Sequence, residues 1–299
     1  MASLGLSPDH EARFEQYRTR VEEALSDFLA FEDPNVAVMT DAMRYSTLIG
    51  GKRIRPILTL EFARLCGADP EQALPFACAL EMIHTSSLIH DDLPCMDNDD
   101  TRRGKPTCHR AYGENYALLA GDALEAYAFE VASSAELPPD RVVCGIRLLS
   151  RATGPCGMLG GQTMDEQNEQ RTDMTLIRLT ETDARKTGAL IRCACELGCA
   201  AAEATPSQRE AAVRYGEALG VAFQIQDDIL DVIGDAETLG KATGHDAEGN
   251  KATYVGFLGL EESVKRAADF SEQAVTALQE FPDPSFLMEL TERLLQRDH

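Results

Sequence analysis

EQALPFACALEMIHTSSLIHDDLPCMD, residues Glu71 to Asp97, decides the fold. Over 71–91 apolar side chains recur at three- and four-residue spacing, so the stretch predicts a helix with an apolar face. Three carboxylates, Asp91, Asp92 and Asp97, then crowd its end. Pro94 ends or bends the helix after Asp92, so a turn must return Asp97 to Asp91. Far along the chain, Asp227-Asp228-Ile229-Leu230-Asp231 repeats this composition near the end of a second long helical stretch, 206–233. Like charges this close repel, and the arrangement persists only if a cation or solvent relieves it. Hard divalent cations take carboxylate oxygens, and Mg²⁺ in particular combines one or two protein carboxylates with substrate phosphates. A solvated acidic face is the bland alternative, and two apolar-flanked runs of matching composition speak against it. The pair predicts a site where several Mg²⁺ ions clamp one phosphorylated substrate.

The helical spacing continues over 10–31, 36–49, 55–66, 114–135, 139–152, 173–202, 258–280 and 285–297. Ala, Leu, Glu and Arg dominate these segments, and strand-like alternation is scarce. Breakers fall between them at Pro34, Gly50-Gly51, Pro70, Pro138-Pro139, Gly160-Gly161, Pro206, Gly234 and Pro282-Asp283-Pro284. The expectation is an all-α fold, one domain over residues 1–299 built from about ten to twelve helices.

The 299 residues carry 28 Lys plus Arg against 50 Asp plus Glu, a net charge of −22. That balance argues against nucleic acid and against anionic membrane surfaces, both of which want a basic face. No run approaches the roughly 18 apolar residues of a membrane span, and the N-terminus lacks a basic region followed by an apolar stretch. A cytoplasmic protein without stable membrane insertion is expected. Nine cysteines include no CxxC pair, and Cys193, Cys195 and Cys199 lack zinc-tetrad spacing. They read as reduced, small core residues.

Helix geometry sets Asp227 four residues and Asp228 three residues before Asp231, so all three can face one ligand. Gln224 lies one turn before Asp227 and can add a neutral contact. Gly50-Gly51-Lys52-Arg53-Ile54-Arg55-Pro56 puts three cations after a flexible double glycine at a helix start, where backbone N–H groups also attract anions. Arg102-Arg103-Gly104-Lys105 directly follows the first acidic cluster, Arg185-Lys186-Thr187 lies in another helix, and Lys241 and Lys251 flank the loop after the second cluster. Basic groups gathered beside acidic ones in so acidic a chain predict two phosphate-bearing ligands, one held through metal and one by Arg and Lys. A lone histidine on an apolar helix is usually a hydrogen-bonded core residue. His84 stands seven residues before Asp91, which puts it on the same face two turns below.

GGKRIRP, EMIHTSSLIHDDLPCMDNDDTRRGKPTCH, LAGDAL, GGQTMD, RKTGALI, GVAFQIQDDILD and the segment from Lys241 to Tyr254 occur in that order. Together they resemble the trans-isoprenyl diphosphate synthases, specifically the short-chain farnesyl and geranylgeranyl diphosphate synthases. The resemblance implies an isoprenoid-synthase bundle around a deep central cavity, and a homodimer. It implies head-to-tail condensation of isopentenyl diphosphate with an allylic diphosphate (dimethylallyl, geranyl or farnesyl). Asp91, Asp97, Asp227 and Asp231 would bind three Mg²⁺ ions around the allylic diphosphate, with Asp92 and Asp228 supporting that geometry. Arg102, Lys186 and Lys241 would touch the same diphosphate. Isopentenyl diphosphate would sit against Lys52, Arg55, His84 and Arg103, with Gly51 allowing close approach. Thr187 and Gln224 would line the reacting centre, and Lys251 would close it. Cys108 and Thr101 depart from the usual Asn and Leu without removing a charged ligand.

The resemblance also implies that the side chains four and five residues before the first aspartate form part of the cavity floor and so bear on product length. Five residues span about 7–8 Å of helix, the scale of one or two isoprene units. Resembling farnesyl diphosphate synthases carry a large aromatic there, whereas this chain has Ser87 and Ser86. The small pair predicts a C20 product, geranylgeranyl diphosphate, with the C15 farnesyl product as the alternative if Phe62, Phe129 or Met158 forms the floor. A class I terpene cyclase would carry a mixed Asn/Ser/Glu second motif, and a non-catalytic partner subunit commonly loses one acidic motif. Both motifs are whole here.

Overall fold

The computed structural model describes residues 4–233 and 252–295. Helices follow one another almost without interruption: α1 (Pro8–Phe28), α2 (Ala37–Leu48), α3 (Ile54–Leu65) and α4 (Pro70–Asp91). A two-stranded antiparallel ribbon, β1 (Thr101–Arg102) and β2 (Lys105–Pro106), precedes α5 (Cys108–Tyr112) and α6 (Glu114–Ser133). Next come α7 (Pro139–Thr153), α8 (Met158–Glu169), α9 (Leu176–Lys186), α10 (Gly188–Ala201) and α11 (Pro206–Ile233). After the second described segment begins, α12 (Tyr254–Leu258), α13 (Leu260–Ala277) and α14 (Ser285–Leu295) close the described chain. The all-α expectation holds.

Helix α4 runs through the centre. Asp69 caps it by accepting the Glu71 N–H at 3.0 Å, and Pro70 occupies the first turn, where its missing N–H costs nothing. Cys78, Ala79, Leu80, Met82 and Ile83 are fully buried, so the helix is apolar nearly all round, as a helix enclosed by others must be. It packs against α3, α6 and α10, while α10 packs against α3, α7 and α11. The ends of α4, α9 and α11 thereby come to one side of the bundle, and the site is there.

Three local readings change. The stretch 173–202 is two helices, broken at Thr187, which ends α9 and starts α10. Gly160 and Gly161 lie inside α8 and are not breakers. A Cβ on Gly161 would stand 2.2 Å from the Lys186 amide nitrogen, so this glycine exists to let α8 press against α9. The ribbon and α5 fall in a segment too short for periodicity to reveal. Its turn has positive φ at both Arg103 (53°) and Gly104 (73°), as a tight two-residue hairpin requires. All nine cysteines are free thiols; Cys78, Cys108, Cys193, Cys195 and Cys199 are buried, whereas Cys95 and Cys156 are exposed.

Candidate active site

At the C-terminal end of α4 the chain turns back on itself. The Asp97 N–H donates to the Asp91 carbonyl at 2.9 Å, and the Asn98 N–H donates to Leu93 at 3.1 Å, with Asn98 left-handed at φ 54°. The turn that Pro94 demands is therefore present, and it sets Asp97 beside Asp91. Burial, reinforced by Asp97 and Asp92 and opposed by Lys186 and Arg102, raises the Asp91 carboxyl to about 6. Asp92 points inward and is 3% exposed. Its two oxygens take the Arg102 guanidinium fork, Nε at 2.8 and 3.0 Å and Nη2 at 2.5 Å. The ribbon exists to deliver Arg102 to that carboxylate.

Across the opening, α9 ends on Lys186, whose Nζ donates to Asp165 Oδ2 of α8 at 2.6 Å. Burial works against the charge on Lys186, but Asp165, Asp91 and Asp97 outweigh it and raise its pKa. One residue on, Thr187 Oγ1 donates to Gln224 Oε1 at 3.3 Å, and Gln224 Nε2 donates to Asp228 Oδ1 at 3.3 Å. The Tyr254 N–H donates to the other Asp228 oxygen at 2.7 Å. Asp228 is thus buried and turned inward, unlike the half-buried Asp227 and Asp231. Of the three carboxylates Asp228 is the most deeply buried, with both oxygens taken by Gln224 and the Tyr254 N–H. Lys241 and Lys251 lie outside the described residues.

A cavity of about 290 Å³ is lined by Asp165, Asp183, Lys186, Thr187, Gln224 and Asp228 among others. Ser86 and Ser87 stand outside its lining. Ser86 is 2% exposed, and Ser87 Oγ donates to the His84 carbonyl at 2.8 Å. Phe62 packs edge-on against Phe281 and tilted against Tyr215.

The cations form a second group around His84, two turns below Asp91 on α4. Arg55 Nη1 donates to His84 Nε2 at 3.3 Å. Burial, then Arg55 and Arg103, holds His84 well below the ordinary histidine range, so the ring is neutral and accepts that bond. Burial also lowers Arg55, with Glu81 and Asp227 opposing. Arg103 donates to the Gly50 carbonyl, and its guanidinium lies over Gly51. A Cβ on Gly51 would meet Arg103 Nη1 at 2.6 Å, and its φ is +131°, so glycine is required there twice over. Lys52 is half-buried on the same loop.

Among the described residues no three His, Cys, Asp or Glu side chains are drawn together tightly enough to ligate one ion unaided. That suits Mg²⁺, which takes one or two carboxylates and completes its octahedron with phosphate oxygens and water. Burial first, and repulsion from Asp97 and Asp92 second, disfavour the charge on Asp91; a bound cation would offset both, so the residues fit it.

Asp165, Asp183 and Tyr254 belong to this arrangement and had no assigned role in the sequence. Asp165 sat inside GGQTMD with no visible partner, because Lys186 meets it only through the α8–α9 contact. Asp183 is one turn before Lys186, and its carboxyl is raised to about 8 by burial and by Asp228 and Asp165. The one-turn spacing was its available signal.

The polyprenyl synthetase family profile matches residues 36–285. A geranylgeranyl diphosphate synthase of Cyanophora paradoxa is 49% identical over 242 residues, 80% of this chain and 81% of that one. A farnesyl diphosphate synthase of Geobacillus stearothermophilus is 43% identical over 291 residues, 95% of this chain and 96% of that one. Among solved structures, an FPP/GFPP synthase of Zymomonas mobilis superposes with a TM-score of 0.87 at 34% identity, covering 96% of this chain and 99% of that one. The profile covers both acidic motifs and the basic loop, and the structural likeness extends over nearly the whole chain. This chain belongs to the polyprenyl synthetase family.

Proposed function

We propose that this protein is a Mg²⁺-dependent prenyltransferase that condenses isopentenyl diphosphate head-to-tail with an allylic diphosphate, with geranylgeranyl diphosphate as its main product. The observation that carries the reading is the presence of two neighbouring sets of charged groups. Asp91 interacts with Asp97, Lys186 and Arg102, and Arg55, His84 and Arg103 interact with one another beside the Lys52 loop. Asp91, Asp97, Asp227 and Asp231 would hold the ions, three by resemblance to the family. When bound, Mg²⁺ supplies positive charge that stabilises the diphosphate leaving group.

The chain's own residues do the remainder. Arg102 and Lys186 bind the allylic diphosphate and favour the charge that grows on it as the allylic C–O bond breaks. The Thr187 hydroxyl spends its hydrogen on Gln224, so its lone pairs are left for the cavity, where they stabilise the allylic cation. Asp228 and the Tyr254 N–H fix the Gln224 amide in turn. The double bond of isopentenyl diphosphate attacks the cation, and the departing diphosphate takes the proton that is lost. Water must be kept from the centre during turnover, because it would otherwise quench the cation to an alcohol. Lys241 and Lys251 complete the set, the first on the diphosphate and the second in closing the site.

The small Ser86–Ser87 pair supports C20 over C15. A single domain, a homodimer and a cytoplasmic location complete the proposal. Tyr116, Leu118 and Leu119 on α6 are 39–49% exposed, which supports pairing of two copies. No described helix is long and apolar enough to cross a membrane. The test is incorporation of labelled isopentenyl diphosphate into an extractable longer prenyl chain with a dimethylallyl starter. Incorporation that needs Mg²⁺ and stops with chelator supports the reading. A cyclic hydrocarbon or no turnover rejects it.

A further inference from the structure

Arg53 is the one cation of the Lys52–Arg55 loop that the reaction leaves unused, and it is the most deeply buried of them at 3% exposure. Its backbone is left-handed, φ 55° and ψ 33°, immediately before α3. Few non-glycine residues adopt that conformation, and it persists only where the surroundings over-determine it. Here the side chain does so. Nη1 donates to Glu81 Oε1 at 2.7 Å, and Nη2 donates to the Thr47 carbonyl at 2.7 Å. Nε lies 3.5 Å from Glu22 Oε1. One planar fork therefore ties the loop to α4, to the last turn of α2 and to α1.

Glu81 is 3% exposed and stands one turn before His84 on α4. It faces Arg53 directly, and its charge also favours the protonated forms of Arg55 and Arg103 against burial. A carboxylate in a helix otherwise apolar at that depth is costly unless it is paired. The pairing places the turn of chain between Lys52 and Arg55.

We propose that Arg53 and Glu81 are positioning residues for isopentenyl diphosphate. Their buried ion pair locks the left-handed turn that presents Lys52 and Arg55 and collects the cations in register before substrate arrives. Neither residue touches substrate. The inference rests on the prenyltransfer reading above. A lysine at 53 keeps the charge but lacks the planar fork that reaches Glu81 and the Thr47 carbonyl together.

The test is steady-state kinetics of Arg53→Lys and Glu81→Gln with each substrate varied separately. In both variants the KM for isopentenyl diphosphate rises about tenfold or more, while the allylic KM and kcat stay within about threefold. Glu81→Gln separates positioning from simple charge. As a bare negative charge near an anion site, Glu81 would weaken binding, and its removal would lower that KM; a fall overturns the proposal. Equal losses for both substrates, or no change, overturn it too. Thermal unfolding followed by circular dichroism confirms that each variant is folded. If wild type incorporates no isopentenyl diphosphate, the prenyltransfer reading fails first and the two failures are told apart.

Discussion

Asp92→Asn removes one charge from the pair that holds Arg102, and its consequences can be worked out from the geometry. The Asp92 side chain is 4% exposed and the Arg102 side chain 28% exposed. Losing one partner of a fully buried pair costs about 3–5 kcal/mol. Arg102 keeps part of its water, and an asparagine oxygen still accepts one bond, so the cost here falls to about 2–3 kcal/mol. Unfolding entropy of about 2.1 cal/mol/K per residue converts that to a fall in Tm of about 4 °C for a chain of this length. Arg102, freed from its clamp, no longer presents a fixed guanidinium to the allylic diphosphate. A displacement of about 1 Å lowers kcat/KM for the allylic substrate by about 100-fold, with the KM for isopentenyl diphosphate unchanged. Calorimetry at pH 7 and kinetics with each substrate varied read the two effects. A Tm within about 1 °C of wild type together with allylic kcat/KM within about threefold would refute the reasoning, because the fork would then carry neither stability nor position.

Three further outcomes follow from the same geometry. Ser86→Tyr fills the helix face about five residues before Asp91 and shifts the main product from C20 to C15 by chromatography of the dephosphorylated prenols; unchanged length would assign the floor to another side chain. Asp91, raised to about 6, keeps a proton in the folded metal-free protein that the unfolded chain has released. That contribution to stability is present below the unfolded pKa and is lost as pH rises through about 6. Mg²⁺ must displace this proton, so the Mg²⁺ concentration for half-maximal rate rises about tenfold per pH unit below 6, and equal requirements at pH 5 and pH 7 would contradict it. Asp165→Asn frees Lys186 and lowers allylic kcat/KM by about tenfold while leaving the KM for isopentenyl diphosphate alone; an unchanged allylic kcat/KM would show that Asp165 does not position Lys186.

How much of this was legible beforehand depends on which forces write themselves into local pattern. Helix α11 was readable because burial of one face imposes its own spacing, whereas the enclosed α4, apolar nearly all round, was readable from its length and its boundaries at Pro70 and Pro94. The turn returning Asp97 to Asp91 was readable because Pro94 leaves the backbone few choices. Lys186 stands near Asp91 and Asp97, and Thr187 bonds Gln224, each pair drawn from motifs far apart in the chain. What stayed hidden depends on contacts between elements. Gly161 looks like a breaker until α9 is seen pressing on it. Asp165 and Asp183 carry no motif of their own, and their roles come from Lys186 and Asp228 across helix contacts. Asp228 shares its motif with Asp227 and Asp231 but is the buried one of the three, because the Tyr254 N–H claims it from a segment 26 residues on.

The most direct test of the account supplies purified protein with Mg²⁺, labelled isopentenyl diphosphate and farnesyl diphosphate as starter, and measures product chain length. The account predicts a labelled C20 prenyl diphosphate that disappears when chelator is added. Farnesyl diphosphate recovered unextended, from protein that elongates neither dimethylallyl nor geranyl diphosphate, would contradict the condensation itself. Elongation of those shorter starters that halts at C15 would contradict the role given to Ser86 and Ser87.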